Sequence, residues 1–171
     1  MAFMLFRTSM GWICAASREG KLTACSPSRR ANSEAVREAA AHDRPGEGDE
    51  LLTALAHDVR RYFAGEMVDF EPYRVDLSGQ PRFYRRAMLA AREIPYGEVR
   101  SYAWLAARAG NPRGARAAGQ AMAHNPIGLV IPCHRVVGSD GSLTGFGGGL
   151  PMKRRLLELE GVRVDGGRVA L

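Results

Sequence analysis

The stretch NPIGLVIPCHRVVG, residues 125–138, sets a thiol and an imidazole side by side in a stiff, apolar frame. Leu129, Val130 and Ile131 run into Pro132, then come Cys133, His134 and Arg135, and the chain turns apolar again at Val136. Proline locks its own φ, so this order suits a thiol pointed in one set direction. A neighbouring imidazole can take the thiol proton, and only the thiolate is a good nucleophile. A buried cysteine is more often inert packing, so the pair alone leaves both readings open. Downstream, DGSLTGFGGGL (140–150) is glycine-rich and can bring backbone N–H groups close to a flat ligand. It lacks the lysine and the spacing of a phosphate-binding P-loop.

The 171 residues suffice for one compact unit or two small ones with a real core. A hydrophobic content of 46% with 25% charged residues is that of an ordinary globular protein. The opening MAFMLF has no basic start and no apolar run of signal-peptide length, and no later stretch reaches membrane-spanning length, so a cytoplasmic protein is expected. Cys14, Cys25 and Cys133 are too few and scattered for a disulfide framework, and no CxxC or HxxxH spacing calls for a metal. The net charge of +6 is unevenly spread. Residues 1–75 hold 10 Lys+Arg against 11 Asp+Glu, whereas residues 76–171 hold 14 against 7. A polyanion partner for the second part, most simply nucleic acid, competes here with a merely solvated basic surface.

The first twenty-five residues read as a hairpin, GWICAAS and KLTACS around a REG turn. A short helix is expected over Ser33 to His42. A second, over DELLTALAHDVRRYFA (49–64), places Leu51, Leu52, Leu55, Val59, Tyr62 and Phe63 on one face. The boundary is placed near Ser78-Gly79-Gln80-Pro81, giving an N-terminal domain over 1–78 and a C-terminal one over 79–171. In the latter, PRFYRRAMLAAREI and SYAWLAARAG read as helices. Asn111-Pro112 looks like an N-cap with proline at N1, opening a third helix, PRGARAAGQAMAHN. Two short helices around a glycine-containing turn, in an arginine-rich half, outline a helix-turn-helix. Gly114, Ala115, Ala117, Ala118, Gly119 and Ala121 leave the third helix nearly bare, with Arg113 and Arg116 protruding. Close packing explains part of that face but not the two arginines.

These residues carry a resemblance. IPCHRVVG, preceded by GNPRGARAAGQAMAHNP and followed by LTGFGGGLPMKRRLLELEG, resembles the O6-alkylguanine-DNA alkyltransferases, the methylated-DNA–protein-cysteine methyltransferases. IPYGEVRSYAWLA (94–106) matches as well, so the ordered likeness runs from Ile94 to Gly161, with YFAGE (62–66) adding weaker support. The resemblance implies an α/β fold: a small N-terminal α/β domain with a ribonuclease H-like sheet, and a mostly helical C-terminal domain. It implies DNA repair by one irreversible transfer per molecule, with the target base flipped out through the minor groove and no cofactor. The partner would be double-stranded DNA containing O6-alkylguanine, O4-alkylthymine being a further candidate. The protein would act as a monomer, with clustering on DNA left open.

By the same resemblance Cys133 would accept the alkyl group. His134 would act as base through a water, oriented by Glu160, and Asn125 would brace the turn that holds the thiol. Tyr102 would donate to N3 of the leaving guanine. Arg116 would fill the space left by the flipped nucleotide, on a DNA-binding surface shared with Arg113, Ala115 and Gly119. Met122, Val136, Phe146, Gly147 and Gly148 would line the base pocket, with the carbonyls of Cys133 and Val136 accepting from the guanine amino group. Where many relatives have tyrosine and then serine in this loop, Phe146 and Gly147 offer a ring without a hydroxyl and a backbone N–H for O6. Chemistry explains the set. Sulfur attack on a methyl carbon needs a thiolate on one side and a proton donor for the leaving guanine on the other. Flipping costs a few kcal/mol, and the flat arginine cation suits the gap. Two rivals stand beside this reading: a DNA-lesion sensor on the same fold, which would lack the acceptor cysteine, and a Cys-His hydrolase of acyl substrates, which would leave the arginine-bearing helix without a task.

Overall fold

The computed structural model describes residues 1–27, 49–146 and 149–171. The helix expected over Ser33 to His42 and the loop residues Gly147 and Gly148 lie outside these. The described chain divides into two compact units, Met1–Asp76 with Pro126–Gly128, and Leu77–Asn125 with Leu129–Leu171.

The first unit is built on a three-stranded antiparallel sheet of β1 (Ala2–Thr8), β2 (Gly11–Arg18) and β3 (Lys21–Pro27), in that order. The expected hairpin is β2–β3. Glu19 (φ 51) and Gly20 (φ 71) form its turn, and two successive positive φ values are what a two-residue turn needs to match the strand twist. β1 was not expected as a strand. It pairs with β2 in the register Phe6↔Ile13 and buries Met4 and Phe6, which alternate as on a half-buried strand. Helix α1 (Glu50–Phe63) packs on β1 and β2 through Leu52, Leu55, Ala56, Val59, Tyr62 and Phe63, all buried. Full burial of each aliphatic side chain contributes about 1.5–3 kcal/mol. Asp49 caps the helix by accepting from Leu52 N–H (3.0 Å), and its other oxygen accepts from the Ser17 hydroxyl. Two further segments run parallel along the open edge of β3, at Leu22↔Val75 and Cys25↔Ile127.

The second unit holds α2 (Arg82–Ala91), β4 (Arg100–Ser101), α3 (Tyr102–Arg108), α4 (Ala115–Ala123), a single 3-10 turn over Cys133–Arg135, β5 (Val136–Val137) and α5 (Leu150–Leu159). The pair α3–α4 is the expected helix-turn-helix, and α2 packs against both. Its second helix begins later than the sequence suggests. Asn111 and Pro112 lie in the connecting turn, with Gly114 N–H bonded to Asn111 O (2.9 Å), and α4 starts at Ala115 with Gly114 as cap. A Cβ on Gly114 would meet the Asn111 amide and crowd its carbonyl, so a larger residue there would have to displace the Asn111 side chain. Ala118, Ala121 and Met122 form the buried side of α4. β4 and β5 pair in parallel, Arg100↔Val136 and Ser101↔Val137, and this short ladder sets Tyr102 beside the end of the PCHRV segment. A core of Val137, Leu143, Leu157, Val164 and Val169 holds α5 in place.

Candidate active site and nucleic-acid interface

Pro132 adopts φ −80, ψ 65, an inverse γ-turn, and Cys133 N–H closes it on Ile131 O at 2.8 Å. The same carbonyl accepts from Asn125 Nδ2 at 2.9 Å, so Asn125 ties the turn from six residues upstream. The chain then winds into one 3-10 turn, with Arg135 N–H on Pro132 O and Val136 N–H on Cys133 O. Four hydrogen bonds therefore fix the turn that carries the half-buried Cys133. Burial pushes the Cys133 thiol above its ordinary value. The Asn125 amide, the Lys153 ammonium and the N–H groups of Cys133 and His134 pull it back toward the thiolate.

His134 is buried, and its Nε2 meets Glu160 Oε1 at 2.8 Å. Burial lowers its pKa, so the ring is a neutral imidazole, and a proton on Nε2 leaves Nδ1 as the basic nitrogen. Glu160 is held on every side. Arg135 donates to it from Nε (2.9 and 3.2 Å) and Nη2 (2.8 Å), and Gly97 N–H donates at 3.1 Å. Burial would raise this carboxyl, but His134 and Arg135 outweigh it and hold it well below the usual range. Arg135 is itself fixed by Ile94 O (2.7 Å) and lies over the Tyr96 ring. Its importance was missed, because an arginine in a basic segment reads as solvated.

Lys153 was also missed, and it is fully buried at 0% exposure. Its Nζ donates to the carbonyls of Val136 and Thr144 and to the Tyr102 hydroxyl (3.3 Å). No acid neutralises it among the described residues, and burial lowers its pKa to about 8. The Tyr102 hydroxyl in turn donates to Thr144 O at 2.9 Å, and burial raises its pKa. Signal for Lys153 did exist: Lys153, Leu156, Leu157 and Glu160 fall at i, i+3, i+4 and i+7, one face of a helix.

The structure brings Cys133, His134, Glu160, Asn125, Val136 and Tyr102 into one neighbourhood of the second unit. Val136 and Met122 are buried, and the Val136 carbonyl already carries the Lys153 ammonium. Phe146 is half-buried, its carbonyl accepting from Gly149 N–H (2.8 Å). On α4, Arg116 is exposed, as is Arg113 in the preceding turn, while Ala115 and Gly119 are half-buried. Gly119 faces the Tyr102 ring, 3.9 Å from where its Cβ would lie.

A thiol in a rigid turn, backed by a buried His-Glu-Arg network and set in the same unit as a helix-turn-helix, defines a DNA-directed group-transfer class. The family model described as 6-O-methylguanine DNA methyltransferase, DNA binding domain, matches residues 82–162. A methylated-DNA–protein-cysteine methyltransferase of Mycolicibacterium paratuberculosis is 47% identical over 114 residues, 67% of this chain and 68% of the relative. Its Mycobacterium bovis counterpart is 52% identical over 109 residues, 64% of this chain and 65% of the relative. The crystal structure of the Mycobacterium tuberculosis O6-methylguanine methyltransferase superposes with a TM-score of 0.76 at 38% identity, covering 96% of this chain and 94% of that one. A second structure, of the M. tuberculosis protein in complex with DNA, gives 0.77 at 37% identity over 92% of this chain and 91% of that one. The chain belongs to the methylated-DNA–protein-cysteine methyltransferase family.

Proposed function

We propose that this protein repairs O6-alkylguanine in duplex DNA by moving the alkyl group to Cys133, in the cytoplasm and without a cofactor. His134 takes the thiol proton, by way of a water, at Nδ1. Glu160 carries the opposite charge that makes an imidazolium tolerable there. The thiolate attacks the alkyl carbon; the S–C bond forms as the C–O6 bond breaks, and the electron pair passes into the guanine ring. Tyr102 neutralises that ring by donating a proton to N3, exchanging its Thr144 partner for the base. Lys153, already hydrogen-bonded to the Tyr102 hydroxyl, replaces the proton. The thioether product is not cleaved by water, so each molecule acts once.

Arg116 fills the gap left by the extruded nucleotide, on the surface shared with Arg113, Ala115 and Gly119. Met122, Val136 and Phe146 line the base pocket. The observation that carries the reading is the thiol in its inverse γ-turn with His134, Glu160 and Arg135 locked behind it. A lesion sensor has no use for that thiol, and an acyl hydrolase has none for the arginines of the helix-turn-helix. The test is intact-protein mass after incubation with a methylated oligonucleotide. One methyl per molecule, on the peptide holding Cys133, is expected; continued consumption of lesions beyond one equivalent refutes the proposal.

A further inference from the structure

Apart from Arg92 and the buried Arg135, the arginines of the second unit fall into two groups. Arg108, Arg154, Arg163 and Arg168 are exposed and Arg100 is half-buried; each is paired with an acid, Arg100 with Glu98, Arg108 with Glu93, Arg154 with Glu158, Arg163 with Asp165 and Arg168 with Asp140. Arg82, Arg85, Arg86, Arg113, Arg116 and Arg155 are exposed and, among the described residues, have no acid within ion-pair distance. Arg113 and Arg116 belong to the helix-turn-helix, and Arg155 lies on α5. The remaining three are all on α2.

Their spacing is i, i+3, i+4, which places all three on one helix face. Leu89 at i+7 continues that face and is 50% exposed, whereas Ala87, Met88, Ala90 and Ala91 on the other side are buried. Three mutually repelling cations therefore line the outward face of one short helix. The first turn of α2 holds no acid, although acids are what a helix start favours. For folding alone this arrangement is unfavourable, so an external anion is its natural complement.

Position relates the row to the recognition helix. The Tyr84 ring packs on that of His124, the C-cap residue of α4, with centroids 5.8 Å apart. Arg86 Nη1 reaches the α3–α4 turn, 3.3 Å from where a Cβ on Gly110 would sit, three residues before Arg113. Tyr84 lies on the inner side of α2, so its contact seats α2 against α4, and it is Arg86 that brings the outward row to the turn before Arg113. A helix-turn-helix that inserts one helix into a groove brings its neighbours against the flanking phosphates.

We propose that Arg82, Arg85 and Arg86 form a second phosphate-binding row, outside the helix-turn-helix, that grips the backbone of the same duplex. The inference rests on the DNA-repair reading above and adds residues to its interface. The row positions the duplex and touches no reacting atom. Its ligand is the repeated phosphate of the backbone, so it contributes affinity and salt dependence with no base preference.

The experiment measures duplex binding from about 50 to about 200 mM salt, alongside the rate of alkyl transfer from a free O6-alkylguanine base. Compared are the wild-type chain, Arg82→Ala/Arg85→Ala/Arg86→Ala, and a control with equal charge change, Arg155→Ala/Arg163→Ala/Arg168→Ala. Each phosphate contact steepens the log–log salt slope by about 0.9. Loss of three contacts should therefore make the α2 variant's affinity fall ~40-fold less than the wild type's over that fourfold salt range. The control should keep nearly the wild-type slope, and all three proteins should react equally with the free base. A wild-type slope in the α2 variant, or an equal change in the control, overturns the row. Failure of the wild-type chain itself to bind duplex or transfer the alkyl group would instead overturn the repair reading. If the triple variant does not fold, Arg85→Ala alone should still lower the slope by about 0.9.

Discussion

The buried ammonium of Lys153 donates to the hydroxyl of Tyr102 at 3.3 Å, while that hydroxyl donates to Thr144 O at 2.9 Å. The relay gives the reaction two opposing pH dependences. Neutral His134, the base that takes the thiol proton, is favoured as pH rises, and burial sets its pKa below the ordinary value. The Lys153 proton, with its pKa lowered to about 8, is lost as pH rises through that value. The single-turnover rate should climb and then decline with a midpoint near 8. Lys153→Met should react at least about tenfold more slowly, the scale of one well-placed proton donor, and should lose the alkaline decline. An unchanged alkaline limb in that variant would remove Lys153 from the relay.

Glu160 should support both folding and reaction. Its carboxyl is held well below its ordinary 4.5, so its contribution to stability is complete above that value and fades as pH falls below it. Glu160→Gln leaves the Arg135 guanidinium buried without its counter-charge, at a cost of about 3–5 kcal/mol. Urea unfolding at neutral pH should show that loss, and the difference from wild type should shrink in acid. Equal stability of the two at neutral pH would contradict the buried pairing.

Asn125→Ala removes the amide that braces Ile131 O and favours the thiolate. A hydrogen bond of this kind contributes roughly 1 kcal/mol to stability. The larger effect should be on reactivity. Titration of the thiol with a small alkylating reagent over pH should show an upward shift of its midpoint relative to wild type. A variant that loses stability with an unshifted midpoint would restrict Asn125 to a structural part.

Arg116 protrudes from α4, while the thiol lies in the Cys133–Arg135 turn, so their contributions should separate by substrate. Arg116→Ala should slow transfer from duplex DNA by about 10–100-fold, in keeping with a flipping cost of a few kcal/mol, and leave transfer from a free modified guanine unchanged. Cys133→Ala should bind duplex normally and transfer nothing. Equal losses on duplex and free base in the arginine variant would deny it a part in flipping.

Much of this protein is legible along the chain. The amphipathic period of residues 50–63 announces a helix with one buried face, and REG announces a turn, because both follow from local spacing and backbone freedom. PCHRV, with Asn125 before it and Glu160 after it, carries the family resemblance, and the structure brings His134 onto Glu160 and Asn125 onto the turn before Cys133. Such motifs survive in sequence because chemistry demands those residue types in a fixed local order. The start of α4 was misread because Asn111-Pro112 satisfies the rule for a helix start, while the Asn111 amide instead packs at Gly114.

What tertiary structure alone decided is which charges are buried. Arg135 and Lys153 stand among many exposed arginines; helical spacing puts Lys153 on the apolar side of α5, but nothing in the immediate neighbours of Arg135 marks it out. Burial depends on residues remote in the chain. Ile94 O and Glu160 close around one cation; Val136 O, Thr144 O and Tyr102 close around the other. The cost of desolvating a charge, and hence its pKa and its use, is a property of that assembled surround. The sequence nominates the thiol of Cys133, and the fold sets the electrostatic field around it.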